Sequence, residues 1–191
     1  MKIGKSISLS AVTGRTELAG AIDGSAWYQD ARSQLDTVDD GAFVLDFNGI
    51  RIATVSWLRE GVIALVKYAA AIKPDVVVVV ANLSDLVREE LQVALEATGT
   101  VVIEAAIGSS SQLVSPTLLG RLDQALSETL AAVAGEQTFD APFVCKALPH
   151  VGASAANNRL ASLEGKNILR SHRTGRSRIY RPVLKGLRYG H

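Results

Sequence analysis

The sequence predicts two domains of different class. Residues 1–107 read as an α/β domain with a mixed or mainly parallel sheet, 108–116 as a small-residue linker, and 117–191 as three helices closed by a β-hairpin. Three observations predict this. The five consecutive valines Val76–Val80 are apolar on both faces of a strand, the mark of a central strand covered on both sides. Strand-like and helix-like segments alternate around it, which implies parallel pairing through crossover helices. The charge also reverses along the chain. Residues 1–117 carry nine Lys/Arg against fourteen Asp/Glu, and residues 118–191 carry eleven against five, within a net charge of +1.

In chain order, Ile3–Leu9 alternates apolar and polar residues and opens the sheet. Phe43–Phe47 is a short apolar run between Asp39-Asp40-Gly41 and Asn48-Gly49, a buried strand. Val55–Ala71 places Leu58, Val62, Leu65, Val66 and Ala69 at helical spacing, and Lys73-Pro74 stops it. Ser84 caps a helix running to Thr98 and Gly99 ends it. Val101–Ile103 begins the last strand, before the linker Gly108–Pro116. A long helix is expected over Thr117–Ala134, broken by Gly135. A second, capped by Asp140 with Pro142 in its first turn, runs to about Leu148. After the turn Pro149–Gly152, Ser154 caps a third helix. Ile168–His172 and Ile179–Val183 then form a hairpin about Thr174-Gly175.

The third helix and the hairpin carry the chemistry. Ala156, Leu160 and Leu163 share one stripe and face the core. Ser154 and Asn158 then point outward with Ala155 and Ser162 beside them, while Asn157 and Arg159 flank the stripe. Outward Asn and Arg can pair with the adenine and guanine edges of the major groove, and the small Ala155 and Ala161 let a helix sink into it. The hairpin brings Arg170, Arg173, Arg176, Arg178 and Arg181, and between His150 and His191 nine Lys/Arg face one acid, Glu164. Such arginines suit phosphates or a minor groove. The reading rests on the polar tips near Asn158 and the hairpin guanidinium groups forming one continuous cationic ridge. Tyr180 is expected under the hairpin, Cys145 in the core of the second helix, and His150 and His172 at the surface.

Ser154 through Pro182, with Asn-Arg-Leu-x-x-Leu-Glu-x-Lys followed by a Gly-Arg hairpin ending Tyr-Arg-Pro, resembles the winged helix-turn-helix of bacterial transcription regulators. It is also similar to the winged-helix module at the C-terminus of Fic-type proteins. The first resemblance implies a double-stranded DNA partner, contacted through Ser154, Asn157, Asn158, Arg159, Ser162, Arg170, Arg173, Arg176 and Arg178. It also implies a homodimer matching a two-fold operator.

Other chemistries find no support. The chain has no Gly-x-Gly-x-x-Gly after a strand, no P-loop, no Gly-x-Ser-x-Gly elbow and no histidine before His150. Asp46, Asp75 and Asp85 read as caps and turn formers. No catalytic set, cofactor or metal site is expected. One cysteine, no leader-like start and a longest apolar run of only Val76–Ala81 fit a cytoplasmic protein without a membrane partner.

Within residues 40–106, Val44–Leu58, the following helix, Val76–Ala81 and Asn82–Leu95 resemble a STAS domain, the fold of anti-sigma-factor antagonists and of the cytosolic part of sulfate transporters. The resemblance implies dimerisation or signal input. In that family an Asp-Ser-Ser/Thr-Gly-Leu motif opens a helix and carries a phosphorylated serine. Aligned on Leu58, Ser56 takes that place, with Thr54 for the acid and Trp57 for the glycine. Ser56 and Trp57 therefore read either as a regulatory site that anchors a regulatory protein, or as a helix cap and a core residue. The function expected is a DNA-binding transcription regulator. The alternative is a partner-switching module whose winged helix is a docking surface.

Overall fold

The computed structural model describes residues 2–109, 112–175 and 177–189. The chain divides into two compact units, Met1–Arg121 and Leu122–His191.

The first unit is mixed α/β. Its elements are β1 (Ile3–Ser8), α1 (Leu9–Thr13), β2 (Glu17–Leu18), α2 (Ala21–Asp36), β3 (Gly41–Asp46), β4 (Ile52–Ala53), α3 (Val55–Leu58), a π-helical turn (Arg59–Ile63), α4 (Ala64–Ile72), β5 (Val76–Ala81), α5 (Asp85–Thr98), β6 (Val101–Ile107) and β7 (Leu113–Gly120). The main sheet has the order β1-β3-β5-β6-β7. The first four strands are parallel and β7 runs antiparallel to β6. The valine run is the middle strand, and all six residues of β5 are buried. Ser84 caps α5 by accepting from the Val87 N–H at 3.3 Å, and Gly99 ends it in the left-handed conformation at φ 61°.

The largest core side chains join sheet to helices: Trp27 and Leu35 of α2, Phe43 and Leu45 of β3, Trp57 of α3, Leu65 of α4 and Leu91 of α5. The Trp27 and Trp57 rings lie 5.1 Å apart, tilted by 42°. Their approach depends on Gly24, where a Cβ would stand 2.7 Å from the Trp57 carbonyl oxygen. Helix α2 has no counterpart in the sequence-based reading. Its buried positions are Gly24, Trp27, Ala31 and Leu35, two of them too small to signal an apolar face.

Two expectations are corrected here. The linker 108–116 gives way to strand from Leu113, and the helix expected from Thr117 is strand as far as Gly120. Leu118 and Leu119, within the helix expected over Thr117–Ala134, are successive strand residues, both buried. The breakers Ser115 and Pro116 sit in a register irregularity of the edge strand, between the pairs Glu104–Thr117 and Ala106–Val114. A bulge at a sheet edge is where a proline, which has no N–H to donate, is tolerated.

The second unit holds α6 (Gln124–Ala132), α7 (Ala141–Ala147), α8 (Ala153–Gly165), β8 (Leu169–Thr174) and β9 (Ser177–Pro182), the last two forming an antiparallel pair. Asp123 and Asp140 cap α6 and α7 through the N–H groups of Leu126 and Phe143, at 2.8 and 2.9 Å. Ala156, Leu160 and Leu163 are fully buried, as the helical spacing predicts. Cys145 is only half-buried, so it lines rather than fills the core of this unit.

Candidate functional site: the outer face of α8 and the arginine hairpin

Helix α8 turns a small, polar face outward. Ser154, Ala155, Asn157, Asn158, Ala161 and Ser162 are all exposed. Gly152 is the N-cap and makes no side-chain cap bond, so Ser154 lies in the first turn and is not the cap expected of it. This frees its hydroxyl from the helix end. Asn157 is exposed too, but its Nδ2 donates to the Ala153 carbonyl at 2.9 Å, which commits one amide proton to its own helix.

Arg159 takes a different course from the outward one expected. Its Nη1 donates to Glu128 Oε2 of α6 at 3.0 Å and to Thr129 Oγ1 at 3.4 Å, and its side chain is only 20% exposed. The cause is position on the wheel: Arg159 stands one residue before the buried Leu160, on the flank nearest α6, where a carboxylate waits. His150 Nε2 lies 3.1 Å from the other Glu128 oxygen. The bond from Arg159, opposed by desolvation and helped by His150, holds the Glu128 carboxyl below its ordinary range. Sequence reasoning missed Glu128, because a contact across 31 positions leaves no local signal.

The hairpin arginines do not form one row. In register, Arg173 stands opposite Arg178, and Arg170 opposite Arg181. Strand alternation puts the first pair on one face with Ser171 and Tyr180, and the second on the other face. The expected continuous ridge is therefore split. On the first face Arg178 donates through Nε to Ser171 Oγ at 2.7 Å and through Nη2 to Glu164 of α8, while Ser171 donates to Glu164 at 2.6 Å. Its guanidinium lies 5.4 Å from the centroid of the buried Tyr180 ring, and burial pushes the Tyr180 phenol up from its ordinary value. Glu164, the lone acid of this stretch, thus neutralises Arg178. Like charges facing one another across a hairpin are unfavourable; here one of the two is paired away and Arg173 is left exposed. Arg181 and His172 are exposed and Arg170 is half-buried. Arg176 lies outside the described residues. Gly175 opens the turn at φ 62°, in the left-handed region a two-residue hairpin loop uses.

The second candidate site is resolved differently. Thr54 caps α3: its Oγ1 accepts from the Trp57 N–H at 3.4 Å and lies 3.1 Å from Ser56 Oγ. Ser56 is half-buried and Trp57 only 2% exposed, packed on Trp27. Trp57 is therefore a core residue and not a surface anchor. The Val55 N–H at this helix start donates to the Glu90 carboxylate of α5 at 3.2 Å, so the place a phosphate would favour already holds an anion.

Among the described residues, no group of three or more His, Cys, Asp or Glu could hold a metal ion, and no helix is long and apolar enough to cross a membrane. The chain matches no protein-family model, no curated protein and no solved structure.

Proposed function

We propose that this chain is a cytoplasmic transcription regulator that binds double-stranded DNA through its C-terminal unit. In this reading α6, α7 and α8 with the β8–β9 hairpin are a winged helix-turn-helix. The α8 face around Asn158 enters the major groove, and the hairpin, led by Arg173, contacts phosphates or the neighbouring minor groove. The first unit, read as STAS-like, supplies dimerisation or signal input, and a homodimer would match a two-fold operator.

The observation that carries the reading is the makeup of α8. Its three buried residues, Ala156, Leu160 and Leu163, are spent on the core, while its opposite face offers short polar and methyl side chains, exposed and free of acids. A solvated helix face with no ligand would more usually carry Lys and Glu. The continuous cationic ridge expected from the sequence is split, so the proposal rests on this face, with the exposed Arg173 of the hairpin as its phosphate contact.

A gel shift with genomic fragments at low and moderate salt tests the reading. Retention at low salt that weakens as salt rises is expected, as is a marked loss in Arg173→Ala combined with Arg181→Ala. No retention at low salt, or retention indifferent to that double substitution, would reject it.

A further inference from the structure

The side chains that α8 withholds say as much about its target as those it offers. Arg159, its single Lys or Arg, is tied to Glu128 and Thr129. Glu164, its single acid, is tied to Ser171 and Arg178 of the hairpin. On the outward face the longest polar side chain without a bond to its own helix is Asn158, with Ala155 and Ala161 beside it.

The bases differ in what they ask of such a face. Guanine shows two acceptors, O6 and N7, and is read by a forked cation. Adenine shows a donor at N6 and an acceptor at N7, which one Asn amide satisfies in both directions. Thymine shows a methyl group, which a methyl side chain meets without desolvating a polar atom. With its guanidinium engaged elsewhere, α8 lacks the guanine reader and keeps the other two.

We infer that the C-terminal unit selects A·T-rich duplex DNA, with Asn158 reading adenine and the methyl groups of Ala155 and Ala161 meeting thymine methyls. The inference rests on α8 being the base-reading helix of the proposed function. The hairpin points the same way, since A·T tracts narrow the minor groove and deepen the negative potential that draws an exposed arginine such as Arg173.

The test uses the full chain and three labelled duplexes of equal length and mixed sequence, built from A·T, G·C or inosine·C pairs, titrated by fluorescence anisotropy at one salt concentration. Inosine·C presents a G·C-like, methyl-free major groove and an A·T-like minor groove, so it separates the two routes to preference. The A·T duplex is expected to bind roughly tenfold tighter than G·C, with inosine·C between the two and nearer to G·C. Asn158→Ala, an exposed position whose folding is checked by circular dichroism, is expected to remove most of that preference by bringing A·T affinity down toward that for G·C. Inosine·C binding as tightly as A·T would move the preference to the minor groove and overturn the role of Asn158. Equal or tighter binding of G·C would overturn the inference while DNA binding stood. Failure to bind any duplex at low salt would remove the DNA-binding reading itself.

Discussion

The Arg159 guanidinium of α8 lies 3.0 Å from the Glu128 carboxylate of α6, and this one carboxylate also faces His150 from the turn before α8. Glu128 thus takes up the single Lys or Arg of α8, so the outer face, set by the buried Ala156, Leu160 and Leu163, is left with short side chains. Because Arg159 holds the Glu128 carboxyl below its ordinary value, this pair contributes stability at pH values above the unfolded carboxylate pKa of about 4.3. That contribution disappears as pH falls through the lower folded value. Glu128→Gln is expected to lower the thermal midpoint at neutral pH, with the gap to the unmodified protein closing in acid. Circular dichroism melts across that range measure it, and a gap that stays constant with pH would contradict the assignment.

Arg173 and Arg178 face each other across the hairpin, and their predicted roles diverge. Arg178 is spent on Glu164, Ser171 and the Tyr180 ring, whereas Arg173 is exposed. Arg173→Ala is expected to leave the melting midpoint unchanged and to reduce the salt slope of DNA binding by about 1, one phosphate contact. Arg178→Ala is expected to lower the midpoint, because it strands Glu164 beside Ser171. Midpoints and salt titrations of the two variants, side by side, decide the matter. Equal slopes with unequal midpoints in the opposite order would refute the division.

Gly24 sets the distance between α2 and α3. A methyl group there would stand 2.7 Å from the Trp57 carbonyl oxygen and 3.1 Å from its Cα, both backbone atoms that cannot swing away. Gly24→Ala should therefore destabilise the first unit by about 1–3 kcal/mol despite the better helix propensity of alanine. Trp57→Ala, which empties a site in contact with Trp27, should cost about 3–5 kcal/mol. Urea unfolding followed by tryptophan fluorescence for the first and by circular dichroism for both provides the values.

Short-range pattern made β3, β5, α5 and the buried stripe of α8 legible, because each is written in residues a few positions apart. Ser84 and Gly99 even mark the ends of α5. Helix α2 was not legible, since glycine and alanine fill half its buried positions. Nor was the fate of the arginines. Whether Arg159 faces bases or a carboxylate depends on Glu128 in another helix, and whether Arg178 is free depends on strand register against Glu164. Composition reveals how much charge a segment has. The pairing that spends the charge is tertiary.

The edge strand β7 gives the last prediction, because it is where local signals misled most. Gly120 ends the strand opposite Val101 with φ at 92°, and a Cβ there would stand 2.5 Å from the Thr100 carbonyl oxygen and 3.2 Å from the Val101 Cα. Its N–H donates to Gln92 Oε1 of α5 at 3.0 Å, so the same residue ties the strand to a helix. Gly120→Ala combines a backbone conformation that L side chains avoid with contact against immovable atoms. It is expected to cost about 1–3 kcal/mol and to weaken the β6–β7 pairing first. Hydrogen exchange should then show faster loss of protection in Val101–Ile103 than in β5, which is flanked on both edges. Gln92→Ala, which removes the tether without touching φ, should produce a smaller change in the same residues. An unaltered exchange pattern in Gly120→Ala would mean that residues 113–120 add little to the sheet, and the linker expected from composition would describe them better.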